Sequence, residues 1–98
     1  MPDRRLELRV EGRVQGVGFR MFVIDRAQAL GLRGWVSNEP DGAVRIVAEG
    51  REDVLLRLLG AAREGPVGAR VDDVDEAWAA PAGLPDGFVI RSGWHRGD

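Results

Sequence analysis

Leu6, Leu8, Val10, Gly12 and Val14 alternate with Glu7, Arg9, Glu11 and Arg13 near the start of the chain. A period of two sends every second side chain to one face, so this stretch predicts a strand with one buried side. Past a glycine-rich interval, Phe19, Val23, Ala27 and Leu30 recur at helical spacing, opposed by Asp25, Arg26 and Gln28. Gly31 supplies a stop. Leu32 to Ser37 reads as a short strand, and Asn38-Glu39-Pro40-Asp41-Gly42 as the turn of a hairpin into Ala43 to Glu49. Val44, Ile46 and Ala48 form the buried face of that third strand. Glu52 and Asp53 favour a helix start through their charge at the positive dipole end. Val54, Leu55, Leu58, Leu59 and Ala62 give the helix its apolar stripe, and Gly65-Pro66-Val67-Gly68 closes it. Ala69 to Trp78 predicts a strand whose period slips between Val71 and Val74, as a bulge or a late start requires. Ala79 to Pro85 is a connection, Phe88 and Ile90 mark a last strand, and Ser92 to Asp98 is a polar tail.

The order strand, helix, strand, strand, helix, strand, with a short extra strand near the C-terminus, predicts an α+β fold. It is the ferredoxin-like βαββαβ sandwich, in which two helices cover one face of an antiparallel sheet. At 98 residues the expectation is one domain spanning 1–98, with a core of about 6–91 and the tail 92–98 outside it. That fold hosts many unrelated activities, so function has to come from a site.

Composition removes several classes of chemistry. The net charge of -2 offers no electrostatic footprint for nucleic acid, and no apolar run approaches a membrane span. RNA recognition would also need exposed stacking aromatics on the central strands, and Leu6 to Val14 has none; Trp35, Trp78 and Phe88 read as core or flanking aromatics. The two arginines of the N-terminus precede no apolar segment, so there is no secretory signal and the expected location is cytoplasmic. The chain contains no Lys, Tyr, Thr or Cys, its only Ser are Ser37 and Ser92, and its only His is His95 in the tail. Schiff-base and thiolate mechanisms are excluded, and a Ser-His-carboxylate triad would have to recruit a tail histidine. The acidic run Asp72-Asp73-Val74-Asp75-Glu76 lacks calcium-loop spacing. An enzyme built from this sequence works mainly with Arg, Asn, Gln, carboxylates and backbone amides.

The stretch Gly12-Arg13-Val14-Gln15-Gly16-Val17-Gly18-Phe19-Arg20 places a glycine loop between strand and helix. Backbone N–H groups of such a loop converge on a concavity suited to an anion, and the helix N-terminus adds donors and dipole. It is neither a Walker loop, since no Gly-Lys-Ser/Thr follows, nor a dinucleotide fingerprint, since Met21 stands in place of the third glycine. Arg20 at the loop's end adds a planar, permanently charged fork matched to phosphate oxygens. Asn38, the single asparagine, has two readings. It starts a turn, as Asn commonly does, or its amide orients a water beside the anion.

Val10 to Arg20 resembles the first signature of the acylphosphatase family, and Gly34-Trp35-Val36-Ser37-Asn38-Glu39-Pro40-Asp41-Gly42-Ala43-Val44, ending at Gly50, resembles the second. The resemblance runs from about Leu6 to Arg91 and implies the fold already expected from periodicity. It implies that Arg20 binds phosphate, that Asn38 orients the attacking water, and that Gln15, Gly16, Val17, Gly18 and Phe19 form the phosphate cradle. Two departures are visible: Ser37 replaces a basic or small apolar residue, and Ser92 an aromatic.

The activity so implied is hydrolysis of the carboxyl–phosphate bond of acyl phosphates to a carboxylate and inorganic phosphate. The partner is a small acyl phosphate, with phosphate as product and competitive inhibitor; no metal, cofactor, nucleic acid or membrane is called for, and a monomer is expected. Two alternatives stand beside it. One is a non-catalytic module of the same fold that captures phosphate compounds, and the other is a structural interaction domain. Arg20 and Asn38 together argue against the latter, because neither is needed to bury a core.

Overall fold

The hydrophobic periods become five strands and two helices in a computed structural model whose described residues are 2–91. The polar tail expected at 92–98, with Ser92 and His95, lies outside the described residues. In chain order the elements are β1 (Asp3–Arg13), α1 (Phe19–Ala29), β2 (Arg33–Asn38), β3 (Val44–Arg51), α2 (Glu52–Glu64), β4 (Arg70–Ala79) and β5 (Phe88–Ile90).

The sheet order is β4-β1-β3-β2-β5. β1 runs antiparallel to both β3 and β4, and β3 antiparallel to β2, which is the expected four-strand arrangement. The short β5 differs by pairing parallel to β2, with Gly34 opposite Phe88, so the complete sheet is mixed. The reason lies in the connection 80–87. It carries the chain from the end of β4 beside Arg5 to the start of β5 beside Gly34, both at the end of the sheet where β1 begins.

Alternation along β1 buries Leu6, Leu8 and Val10 at 0–1% exposure against the helix layer. Removing each such leucine from water contributes roughly 1.5–3 kcal/mol. α1 packs on β2, β5 and α2, and α2 on β1, β3 and β4, so both helices share one face. α1 ends as its glycine predicts. Gly31, at φ 69°, donates to the carbonyl of Gln28 at 3.0 Å, and Leu32 donates to Ala27 at 3.0 Å. Those two bonds close a Schellman cap and swing the chain into β2. The slipped period of β4 is a bulge. Glu11 faces Asp73 but Gly12 faces Val71, and at Gly12 a Cβ would stand 2.1 Å from the Arg70 carbonyl oxygen. Phe88 joins the core and Trp78 packs against its edge, while Trp35, opposite Val47, lies on the face of the sheet away from the helices. Arg45 and Arg91 lie over the Trp35 ring, and Arg4 lies over that of Trp78.

Glu49 fastens the 80–87 connection to the sheet. Its fully buried carboxylate accepts the N–H groups of Ala82 (2.6 Å), Gly83 (3.1 Å) and Leu84 (2.9 Å), and a guanidinium bond from Arg5 (3.3 Å). Burial pushes its pKa up, but the backbone donors and Arg5 outweigh burial and hold it below the ordinary 4.5. A depressed carboxyl contributes stability that is fully present above the unfolded-chain value and is lost as pH falls through the lower folded value. Glu49→Ala should therefore destabilise the protein by roughly 1.5–3 kcal/mol at neutral pH, the loss of hydrogen bonds to a charged group whose partners are partly exposed. In urea unfolding the gap to the native chain should narrow on acidification below the ordinary carboxyl range, and a gap independent of pH would contradict this role.

Candidate active site

The turn from β1 into α1 occupies residues 14–18. Gly16 has φ 73° and Gly18 φ 77°, whereas Gln15 and Val17, like every non-glycine residue described, have negative φ. Alternation in backbone hand turns successive N–H groups toward one side, the geometry of an anion nest. Gly18 is also the N-cap of α1. It has no side chain with which to cap, and no acidic residue stands in the first turn. The first intrahelical bond runs from Phe22 N–H to the Gly18 carbonyl at 3.0 Å, so the N–H groups of the first turn precede the helical ladder. The positive end of the dipole is presented rather than neutralised by the chain itself.

Arg20 is only 4% exposed and lies in the buried stripe of α1, with Phe19, Val23, Ile24 and Ala27. Arginine rarely occupies such a stripe without a task for its charge. The stripe read from the sequence, Phe19, Val23, Ala27 and Leu30, left Arg20 out, although its spacing of four to Ile24 and seven to Ala27 puts it on the same face.

Asn38, 2% exposed, is the last residue of β2. It pairs with Val44, which pairs with Val10, so it closes a row across three adjacent strands at the end where β1 gives way to the loop. Its parity matches Gly34 and Val36, which puts it on the helix-facing side of β2. α1 runs back along β2 from the loop, so its N-terminus lies at this same end. The loop residues, Arg20 and Asn38, widely spaced in sequence, thus share one end of the sheet.

The side chain of Gln15 makes the link explicit. Its Nε2 donates to the carbonyl of Glu39 at 2.8 Å and to that of Ala43 at 2.9 Å, joining the loop to the β2–β3 turn. Sequence reasoning placed Gln15 in the cradle but offered no partner for its amide, because those carbonyls are neighbours only through the sheet. The turn itself is closed by Glu39 N–H to Ala43 O (2.8 Å) and Gly42 N–H to Glu39 O (3.1 Å). Asp41 accepts the Ala43 N–H at 3.2 Å and pairs with Arg9, and this backbone donor followed by Arg9 holds its carboxyl below the usual range. Ser37, the departure noted in the sequence, is buried and donates to Glu39 Oε2 at 3.2 Å. A cavity of about 350 Å³ opens beside the loop, lined by Gly12, Arg13, Val14, Gln15, Gly16 and Gly42.

Among the described residues, Glu11, Asp73 and Asp75 bring three carboxylate oxygens within 4.8 Å of one another. Arg9 stands 3.5 Å from Glu11, and the two aspartates are exposed, which is the arrangement of an ordinary solvated surface. None of the described helices is long and apolar enough to cross a membrane.

Comparison with known proteins places the chain's family and fold. The acylphosphatase family profile matches residues 6–90. The chain is 49% identical over 89 residues to an acylphosphatase of Salinibacter ruber, covering 91% of this chain and 94% of the relative. It superposes on the crystal structure of acylphosphatase from Bacillus subtilis with a TM-score of 0.87 and 38% identity, covering 91% of this chain and 99% of that one. It also matches a segment of full-length HypF, whose structure is phosphate- and nucleotide-bound, with a TM-score of 0.84 and 28% identity, covering 92% of this chain and 12% of that one.

The left-handed backbone at Gly18 is testable. A Cβ there meets nothing within 4 Å, so Gly18→Ala adds no clash and only the strain of a positive φ. Thermal unfolding should show a loss of about 1–2 kcal/mol. An unchanged melting temperature would show that the loop had abandoned its alternating hand.

Proposed function

From the premise that this chain belongs to the acylphosphatase family and is an acylphosphatase, we propose how its residues divide the reaction. The N–H groups from Gln15 to Phe19 and the guanidinium of Arg20 hold the phosphoryl group of a small acyl phosphate. Asn38 holds the attacking water in line with the bond to be broken. The observation that carries this reading is a buried arginine, at the end of a loop of alternating hand, sharing one end of the sheet with a buried asparagine.

The chemistry follows from what those groups can do. Water attacks phosphorus, the bond from phosphorus to the acyl oxygen breaks, and the acyl group leaves as a carboxylate. A carboxylate leaves readily, so the step needs little help from a strong base, and the water's proton passes to an oxygen of the phosphate itself. Phosphoryl transfer depends chiefly on position and charge stabilisation. Arg20 and the loop donors face the equatorial oxygens on which charge is carried. Asn38 contributes by removing the water's freedom before the step. No residue of this site needs a metal or an organic cofactor for its part. The same proposal includes inorganic phosphate as product and competitive inhibitor, and a cytoplasmic monomer.

Phosphate release from benzoyl phosphate, followed with added phosphate as inhibitor, separates the roles. Arg20→Ala should abolish both turnover and phosphate inhibition. Asn38→Ala should lower kcat about 100-fold or more while phosphate inhibition is retained, since misplaced water affects only the chemical step. Near-normal kcat in Asn38→Ala would contradict its role, and loss of wild-type activity in a chelator would contradict a metal-independent site.

A further inference from the structure

Both hydrogens of the Gln15 amide nitrogen are committed to main-chain carbonyls, those of Glu39 and Ala43. Glu39 directly follows Asn38 and Ala43 directly precedes Val44, and Asn38 and Val44 face each other as the last described pair of the β2–β3 ladder. One planar group in the phosphate loop therefore grips the chain on both sides of the pair that contains Asn38. Its orientation is fixed by chemistry, because a flipped amide would turn Oε1 onto two carbonyl oxygens. That Oε1 is itself buried, with no hydrogen-bond partner among the described residues. A buried acceptor left unpaired is costly, and in a native structure it calls for a reason. A methionine of similar length would fill the same space without that cost, so burial alone does not account for the residue.

We propose that Gln15 is a positioning residue that acts through Asn38. Its amide locks the base of the β2–β3 turn to the loop that holds the phosphate, and so fixes the water carried by Asn38 relative to the phosphorus it attacks. The turn's internal bonds set its own shape, and Arg9 with Asp41 steadies its exposed tip. The Gln15 clamp sets where the base of the turn stands relative to the cradle. The inference rests on the acyl phosphate reading above and gives the Gln15 side chain a task distinct from that of its backbone N–H.

The test is a double-mutant cycle of Gln15→Met and Asn38→Ala, with kcat on benzoyl phosphate and the inhibition constant of phosphate measured for all four proteins. Gln15→Met should lower kcat roughly 10- to 100-fold, as a displacement of the reacting groups does, with phosphate inhibition nearly unchanged. In the Asn38→Ala background it should add little, because residues acting as one unit are not additive. Gln15→Glu keeps the length but replaces both donors with acceptors, and should lose at least as much. Independent effects that multiply, a phosphate affinity that falls as far as kcat, or an unchanged kcat would each overturn the proposal. A Gln15→Met protein unfolded at the assay temperature is replaced by Gln15→Glu in the same cycle, and if both unfold, the amide is a folding requirement and the proposal fails. A wild-type chain without turnover would overturn the acyl phosphate reading together with this inference, whereas turnover with a multiplicative cycle overturns the inference alone.

Discussion

A helix that begins without a cap is the constraint on which this end of the molecule depends. A serine or aspartate at an ordinary extended N-cap turns its own oxygen onto the N–H groups of the first turn. Glycine forgoes that contribution, adopts φ 77° without a Cβ, and leaves the first-turn donors without a side-chain cap. The helix is held instead from below and behind. Phe19, Val23, Ile24 and Ala27 are buried against the sheet and α2, and the Schellman cap at Gly31 fixes the far end. The first turn can do without a side-chain cap because packing, not capping, supplies the stability of α1.

The two ends of the sheet apply one physical device to opposite purposes. At the end where β1 starts, the successive N–H groups of Ala82, Gly83 and Leu84 close around the carboxylate of Glu49, with Gly83 at φ 84° giving the turn its left-handed residue. At the end where β1 stops, residues 15–18 alternate in hand in a similar way, the nest that the proposed function gives to an external anion. The first nest is filled by a side chain of the protein, which ties a long connection across three strands. The second is assigned to substrate. Between them β1, paired along its length with β3 and β4, makes a stiff spacer, so a disturbance at one nest has little leverage on the other.

What was legible in the sequence was whatever depends on neighbours along the chain. The alternation of Leu6, Leu8 and Val10, the helical stripes, Gly31 as a stop, the Pro-Asp-Gly turn and the slip in β4 are local, and each appears in the structure at or near its expected place. The loop and Arg20 were legible for the same reason, because glycine spacing and the residue after it are read within a few positions. The parallel pairing of β5 was not, since three residues carry no record of which strand they meet. Glu49 gave no sign either; it sits in phase with Val47 on the face away from the helices, its backbone donors lie more than thirty residues later, and Arg5 lies more than forty residues earlier. The amide of Gln15 falls in the same class, because its acceptors are backbone atoms of a turn reached only when β1, β3 and β2 align.

A substrate whose leaving group departs as a carboxylate changes what the protein must supply. Little acid–base assistance is required at the leaving oxygen, and a chain without lysine, cysteine, tyrosine or a core histidine is then no handicap. What is left is geometry: phosphate oxygens against fixed donors, and one water held where it can reach phosphorus. Geometry of that kind has to be maintained between elements that touch only through the tertiary fold, here a loop after β1 and the last residue of β2. A bond network within either element cannot do it, since each would keep its own shape while drifting from the other. The connection has to cross between them, be short, and be unable to rotate. A side-chain amide with both hydrogens on two carbonyls of the opposing turn meets all three conditions, and its unpaired oxygen is the residual cost of that orientation.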